Sequence, residues 1–348
     1  MNIGVGLDAR LGLAWDELRD VAHVAERLGF ESVWTPAGGV PDAFHVTAAW
    51  CEDTSLRAGI SVVPAARMWS PWSLAAQAAT VAMRSKGRFV LGLGTGGSGP
   101  AFWQSLGLED RPIAHMRDYT LAVKDLLAGR VVTSTSPIVR LHNAWLGLVD
   151  PLVAPVYLGA LGDQMLALAG EVADGALLNW ATPDRIASSR HKIAEGARRA
   201  GRDPEAVPVT MYVRVCIDDD VAAARRAFGE QMLGYALAQP GVPHAAGYRG
   251  LFATMGFEPV LSELEARRDA GASSTELLEA TPDELLRAVG YFGPASGAAS
   301  AFAALSEGLD EAIVRIITAR PGPAPVHEAM EALAPPAIRA AVAMDGGR

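Results

Sequence analysis

Two segments constrain the fold more than anything else in the chain: KGRFVLGLGTGG at 86–97 and PVYLGALGDQMLALAGEVADG at 155–175. Each reads as a strand that ends in glycine-rich turn chemistry, and the second passes directly into a helix. FVLGL is apolar at almost every position, which marks a strand buried on both faces, as in a parallel sheet covered by helices. Beyond it, Gly94, Gly96 and Gly97 let backbone amides come close to a ligand. Beyond the second strand, Gly159 to Gly162 deliver amides to a helix N-terminus, where anions bind well. Together they predict an α/β enzyme that holds an anionic cofactor at the carboxyl edge of a parallel sheet.

One local pattern recurs: an amphipathic helix, a glycine, then a short apolar strand. Residues 15–28 place Trp15, Leu18, Ala22, Ala25 and Leu28 on one helical face, followed by Gly29 and ESVWT. Helices over 71–85, 163–173 and 299–307 end in the same way at Gly87, Gly175 and Gly308. Eight strands are expected, at 3–7, 32–35, 57–63, 89–93, 156–160, 175–180, 209–217 and 312–318. Alternation with helices suggests right-handed βαβ units, and eight of them over ~250 residues or more fit a (β/α)8 TIM barrel with insertions. A doubly wound open sheet is the alternative, because periodicity does not show closure.

The whole chain, 1–348, reads as one barrel domain, with 218–290 as an insertion between strands seven and eight. That insertion is either a mobile lid over the mouth or a structural excursion. Residues 131–154 read as a short hairpin or loop, and the tail as one helix near 325–334 followed by a frayed end after Pro335 and Pro336.

Composition removes several classes. The net charge of -9, with no basic run, argues against nucleic-acid binding. No apolar stretch reaches the ~20 residues of a membrane span, and no signal peptide opens the chain, so a cytoplasmic protein is expected. Cys51 and Cys216 read as buried, reduced thiols. With no CxxC or Cys/His cluster, no metal is expected.

In a barrel the active site lies at the carboxyl ends of the strands. That rule selects Asp8, Thr35, Pro36, Ser61 to Val63, Thr95 to Gly97, Gly159 to Gly162, Asn179, Trp180, Arg214, Thr318 and Arg320. No nucleophile elbow, HExxH or Walker lysine is among them. His45 and His115 fall near the mouth, and Asp8 orients a substrate or caps a helix. Leu161, Gly162 and Asp163 sit at a helix start that is a phosphate candidate, with Asp163 as its N-cap the alternative. Trp34, Trp50, Trp69, Trp72, Trp103 and Trp180 form either a stacking pocket or ordinary barrel packing. A site poor in acid–base residues and rich in glycine suits a cofactor that carries the chemistry. A nicotinamide fingerprint is disfavoured, since no acid follows the helix-opening glycines at ~20 positions.

GRFVLGLGTG, then WQSLGLEDRPIAHMRDYTLAVKDLLAGRVV, then PVYLGALGDQMLALAGEVADGALLNWATPD resemble the luciferase-like monooxygenase superfamily. More closely they resemble its coenzyme F420-dependent branch, similar to methylenetetrahydromethanopterin reductase. The resemblance covers 2–215 well and 281–320 more loosely. It implies a barrel with a flavin-like ring across its mouth and a non-prolyl cis peptide at Ser61–Val62. It also implies cofactor contacts at Thr95 and Gly96, and a phosphate site along the turn Gly159, Ala160, Leu161, Gly162, with Asn179 and Thr182 on the next loop. The implied activity is an F420-dependent oxidoreductase, a reductase on a small-molecule substrate, working as a homodimer. An FMN-dependent monooxygenase is the alternative on the same scaffold, and a non-catalytic flavin-binding protein the alternative outside enzymes. The loop TPAGGVPDAF lacks the Asp-His of several members, and Gly97 and Ser98 replace an acid that some relatives carry. A sugar-phosphate dehydrogenase mechanism is therefore disfavoured, and water or Asp8 is left to supply a proton.

Overall fold

A computed structural model describes residues 1–7, 9–64, 69–96, 104, 111–136, 139–148, 154–239 and 242–345. Asp8, Gly97, Ser98 and Trp103 lie outside these. The strands are β1 (Asn2–Gly6), β2 (Ser32–Thr35), β3 (Arg57–Pro64), β4 (Phe89–Gly94), β5 (Val156–Gly159), β6 (Gly175–Asn179), β7 (Val209–Ile217), β8 (Gly290–Gly293) and β9 (Glu311–Ile317). Strands β1 to β7 pair in order and in parallel; β7 pairs with β9, and β9 with β1. The ring is closed, so the fold is a (β/α)8 TIM barrel and not an open sheet.

The ninth strand, β8, is the one the sequence reading missed. GYFG is four residues with a glycine at each end, too short to give a period. It pairs with Arg214–Ile217, just beyond the stretch of β7 that β6 occupies.

Glycine explains both the helix ends and the barrel interior, by different physics. Helix α1 (Trp15–Leu28) ends at Gly29, φ 87°, whose amide reaches back to the Ala25 and Glu26 carbonyls. Trp15, expected on the buried face, is exposed in the first turn. Gly175, expected as a cap, is a strand residue that makes room: a Cβ there would lie 2.6 Å from the Tyr157 ring. Gly59 does the same for Trp34 at 2.2 Å, and Gly6 for Tyr212 at 2.8 Å. Trp34, Tyr157 and Tyr212, with Val90, Leu177 and Ile313, thereby fill the inside of the ring. At its base Glu311 accepts from Ser32 Oγ at 2.5 Å, from Trp34 Nε1 at 3.2 Å and from the Arg57 guanidinium. This carboxylate, 3% exposed, is fully partnered, as a buried charge must be.

Further helices cover the ring: α2 (Ala43–Asp53), α3 (Pro71–Arg84), α4 (Pro112–Leu127), α5 (Asp163–Val172) and α6 (Pro183–Arg199). Cys51 and Cys216 are free and buried. Within 131–154, Val132 and Ala144 form an antiparallel bridge. Between β7 and β8 lie α7 (Val221–Ala236), α8 (Gly247–Phe252), α9 (Glu258–Asp269), α10 (Ser274–Ala280) and α11 (Asp283–Ala288). They share a separate apolar cluster built on Phe228, Phe252 and Phe292. After α12 (Ala295–Leu305) and β9, the tail differs from expectation. It holds two helices, α13 (Ala324–Ala332) and α14 (Pro335–Asp345). Pro335 and Pro336 open the second helix instead of ending order, since the first turn needs no proline N–H, and Ile338 is buried.

Gly59→Ala should destabilise the protein by roughly 1–3 kcal/mol, because an added methyl meets a ring locked in a closed barrel. Urea unfolding should show a lower midpoint with an unchanged slope. A midpoint equal to wild type would show that the interior yields.

Candidate active site

At the carboxyl ends of the strands lies a cavity of about 530 Å³. Thr35, Ser61, Val62, Pro64, Gly94, Thr95, Gly96, Gly159, Ala160, Leu161 and Asn179 supply its strand-end wall. Tyr212, Arg214 and Arg315 reach it from within the barrel, and Tyr235 and Tyr248 from α7 and α8. A second cavity of about 640 Å³ adjoins it, sharing Arg10, Gly96, Tyr235 and Tyr248.

Eight of the expected cofactor residues therefore come together: Ser61, Val62, Thr95, Gly96, Gly159, Ala160, Leu161 and Asn179. Gly162 and Thr182 stand just off this wall. Asp8, the expected proton donor, lies outside the described residues.

The Ser61–Val62 peptide is cis, and the register between β3 and β4 shifts between Ile60 and Val63. This bulge carries the Val62 side chain across to β4 and β5. A Cβ on Gly94 would lie 2.5 Å from Val62 Cγ2, and one on Gly159 3.2 Å from Val62 Cγ1. Gly94 was expected to admit a ligand; its missing side chain instead admits Val62. Gly96 has φ +76° and backs onto Pro64, so it alone of the described fourth-strand glycines needs the left-handed region.

The β5 turn leads into α5 with Gly162 as N-cap and no side-chain cap. Nothing lies within 4 Å of a Cβ built on Gly162. Gly162 gives the first-turn amides of α5 no side-chain cap, the arrangement in which an anion is held. Asp163, the alternative cap, is the first helical residue instead. Arg185 Nη2 donates to the Leu161 carbonyl at 2.7 Å and lies 3.4 Å from Asp163 Oδ1, which adds a positive charge beside the turn. Thr182 caps α6, its Oγ1 accepting from the Arg185 amide at 3.2 Å.

Asn179 is held from both sides: it accepts from Arg214 Nη1 and donates to the Tyr248 hydroxyl at 2.6 Å. The Arg214 guanidinium lies 3.8 Å from the Trp180 ring centroid, and its Nε donates to Gln231 Oε1 at 3.3 Å. Burial pulls Arg214 down to about 10 and Arg315 to about 9, so both stay charged at neutral pH. Burial pushes the Tyr235 phenol up, but the positive charges of Arg214 and Arg10 outweigh it and leave it below the ordinary value.

No tryptophan lines the cavity among the described residues. Trp34 is inside the barrel, Trp50 donates to the Leu18 carbonyl beneath α2, and Trp180 backs Arg214. The flat surfaces at the mouth are tyrosines. His115 is buried against Tyr119 in α4, where desolvation lowers its pKa, and His45 is exposed beside Asp42; neither is on the wall.

The reading from sequence missed Arg10, Tyr235 and Tyr248, and gave Arg214 and Arg315 no role. Two signals were available: one arginine in the apolar run VTMYVRVCI and one in EAIVRII. A buried strand seldom carries such a charge without a use for it. The tyrosines had no comparable signal, because only the packing of α7 and α8 brings them to the mouth.

The fold is that of a luciferase-like protein. The chain belongs to the luciferase-like monooxygenase family, whose sequence model matches residues 1–311. It is 33% identical over 223 residues to the 5,10-methylenetetrahydromethanopterin reductase of Methanolobus tindarius, across 61% of this chain and 66% of that protein. It is 30% identical over 310 residues to a Mycobacterium tuberculosis protein provisionally named as a coenzyme F420-dependent oxidoreductase, across 82% and 87%. Among solved structures, the coenzyme F420-dependent tetrahydromethanopterin reductase of Methanopyrus kandleri superposes with a TM-score of 0.75 over 95% of this chain and 96% of that one. At 21% identity that likeness establishes the fold alone.

The tyrosine wall hangs on one buried cation. Arg249, beside Tyr248 and 4% exposed, bonds to Glu258, and to both Glu265 oxygens at 3.1 and 3.2 Å. Glu265 also accepts from the Ala238 amide at 2.8 Å, which ties α9 to the end of α7. Burial pushes Glu265 up, and Arg249 with the Ala238 amide outweighs it, leaving the carboxyl below its ordinary 4.5. A depressed carboxyl stabilises the fold above the unfolded value and loses that contribution as pH falls through the folded one. Arg249→Met should therefore cost about 3 kcal/mol at pH 7. Its further loss of stability below pH 4.5 should be smaller than that of wild type in urea titrations. Equal acid losses in the two proteins would contradict the assignment.

Proposed function

We propose that the chain is a coenzyme F420-dependent oxidoreductase that transfers a hydride between the deazaflavin and a small organic molecule, working as a reductase. The observation that carries this reading is the β3 bulge at Ser61 and Val62 on the cavity wall, with the uncapped N-terminus of α5 following directly after Leu161 of that wall. A flat ring with a phosphorylated tail needs a backing surface and an anion site, and these residues fit both. Names of relatives that include F420 support the cofactor choice.

In this reading Ser61, Val62, Thr95 and Gly96 would face the ring, and the amides from Gly159 to Gly162 would hold the phosphate, with Asn179 alongside. The cofactor supplies the hydride. The residues of the chain bind and orient, and the tyrosines of α7 and α8 keep water away from one side. A proton comes from water or from Asp8. The same reading includes a homodimer in the cytoplasm.

Titration with F420, followed by quenching of its fluorescence, should give saturable binding, with FMN far weaker. Tight FMN binding without F420 binding would favour a flavin monooxygenase on the same barrel. Gly162→Asp should weaken F420 binding by about 1–3 kcal/mol, roughly ten- to a hundredfold, by placing a carboxylate at the phosphate turn. Unchanged affinity in the folded variant would place the phosphate elsewhere. Turnover of the reduced cofactor with any acceptor excludes a purely binding role.

A further inference from the structure

We propose that the mouth cavity takes a substrate bearing a carboxylate, and that Arg214 receives it. This rests on the oxidoreductase reading above, which it deepens by naming the substrate class.

Arg214 is 3% exposed, yet its hydrogen-bond partners are neutral: the amides of Asn179 and Gln231 and the Tyr235 hydroxyl. These use three of the five N–H donors of a guanidinium. No carboxylate lies within 4.0 Å of it among the described residues. Other arginines in the chain show how this sequence settles such a charge when the role is structural. Arg249, 4% exposed, is clamped by Glu258 and Glu265, and Arg57 is bonded to Glu311. Arg88 spends its donors on the Cys51, Thr54 and Leu56 carbonyls. A desolvated guanidinium that keeps donors in hand beside a cavity is poised for an anion from outside.

The geometry narrows the ligand further. The Trp180 ring covers one face of the guanidinium at 3.8 Å, so recognition falls to its edge. That edge is a planar fork, which matches a carboxylate by paired hydrogen bonds. Arg10 and Arg315 stand in the same described lining, which holds no Asp or Glu, in a chain of net charge -9.

The cofactor phosphate is assigned to the α5 turn with Arg185 beside it, and Asn179, which accepts from Arg214, stands between that turn and the guanidinium. Arg214 stands on β7 instead, next to Tyr235 and Tyr248 of the α7–α8 wall. It is on the side of the mouth that the long β7–β8 segment encloses.

The test is calorimetric titration of the full chain, with and without F420, using acetate, crotonate and benzoate, and their neutral amides. At least one acid should bind at millimolar concentration or better, its amide at least tenfold more weakly, and the F420-loaded protein should still take it. Arg214→Gln should remove that preference, and Arg214→Lys should restore part of it. Preference in F420-free protein that fails to quench F420 would leave the carboxylate site standing and defeat the oxidoreductase reading. Four results would overturn the proposal. These are amides binding as well as acids, no acid binding, displacement of F420 by the acid, and a folded Arg214→Gln variant that keeps the preference. The first three are read on wild type, so a variant that fails to fold does not protect the idea.

Discussion

Everything at the mouth stands on a packed floor. Trp34, Tyr157 and Tyr212 occupy the inside of the ring because glycines at 6, 59 and 175 leave them space. A closed ring of eight strands leaves an interior just wide enough for side chains to fill. Rings from three strands fill it here, and Glu311 with Ser32 and Arg57 seals the base. The cavity exists above this layer because the floor does not continue: towards the carboxyl ends the inward residues are Arg214, Arg315 and the small residues of the rim. Tyr212 belongs to both, packed in the floor and lining the cavity from below. Core and site are thus one column of side chains, apolar below and cationic above.

The β7–β8 segment completes the site. Its helices keep a separate apolar cluster, and only Tyr235 and Tyr248 among its aromatics reach the main cavity. Two anchors fix them. Arg249 binds α8 to α9 through buried charge, and β8 adds a short parallel pairing to the carboxyl end of β7. Trp180 links the two halves: it follows β6, yet packs among Phe228, Tyr235 and Phe252 of the added helices and supports Arg214. A change in this wall therefore reaches the arginine without touching the barrel.

The electrostatics run against the composition. The chain is acidic overall and its mouth is lined by arginines. Net charge describes the surface seen from afar, whereas a cleft with low-dielectric walls responds to the charges within a few ångströms. The α5 N-terminus adds a partial positive charge of the same kind. The donors at the mouth fall into two groups, the uncapped turn between β5 and α5 and the guanidinium on β7.

Sequence by itself determined the run of parallel strands and most of the rim, while closure into a barrel was shown by the pairing of β9 with β1 and β7. Strand and helix periods are local, and the residue that ends a parallel strand sits at the mouth wherever the strand goes. Ser61, Val62, Thr95, Gly96, the Gly159 turn and Asn179 were legible for that reason. Tertiary structure alone decided what each glycine is for: Gly94 admits Val62, Gly175 admits Tyr157, and neither partner is near in sequence. It also decided that tyrosines, and not tryptophans, face the cavity, and that Arg214 has no carboxylate partner among the described residues. Those outcomes depend on ring closure and on how α7 and α8 pack, which join residues tens of positions apart, and no local period carries that information.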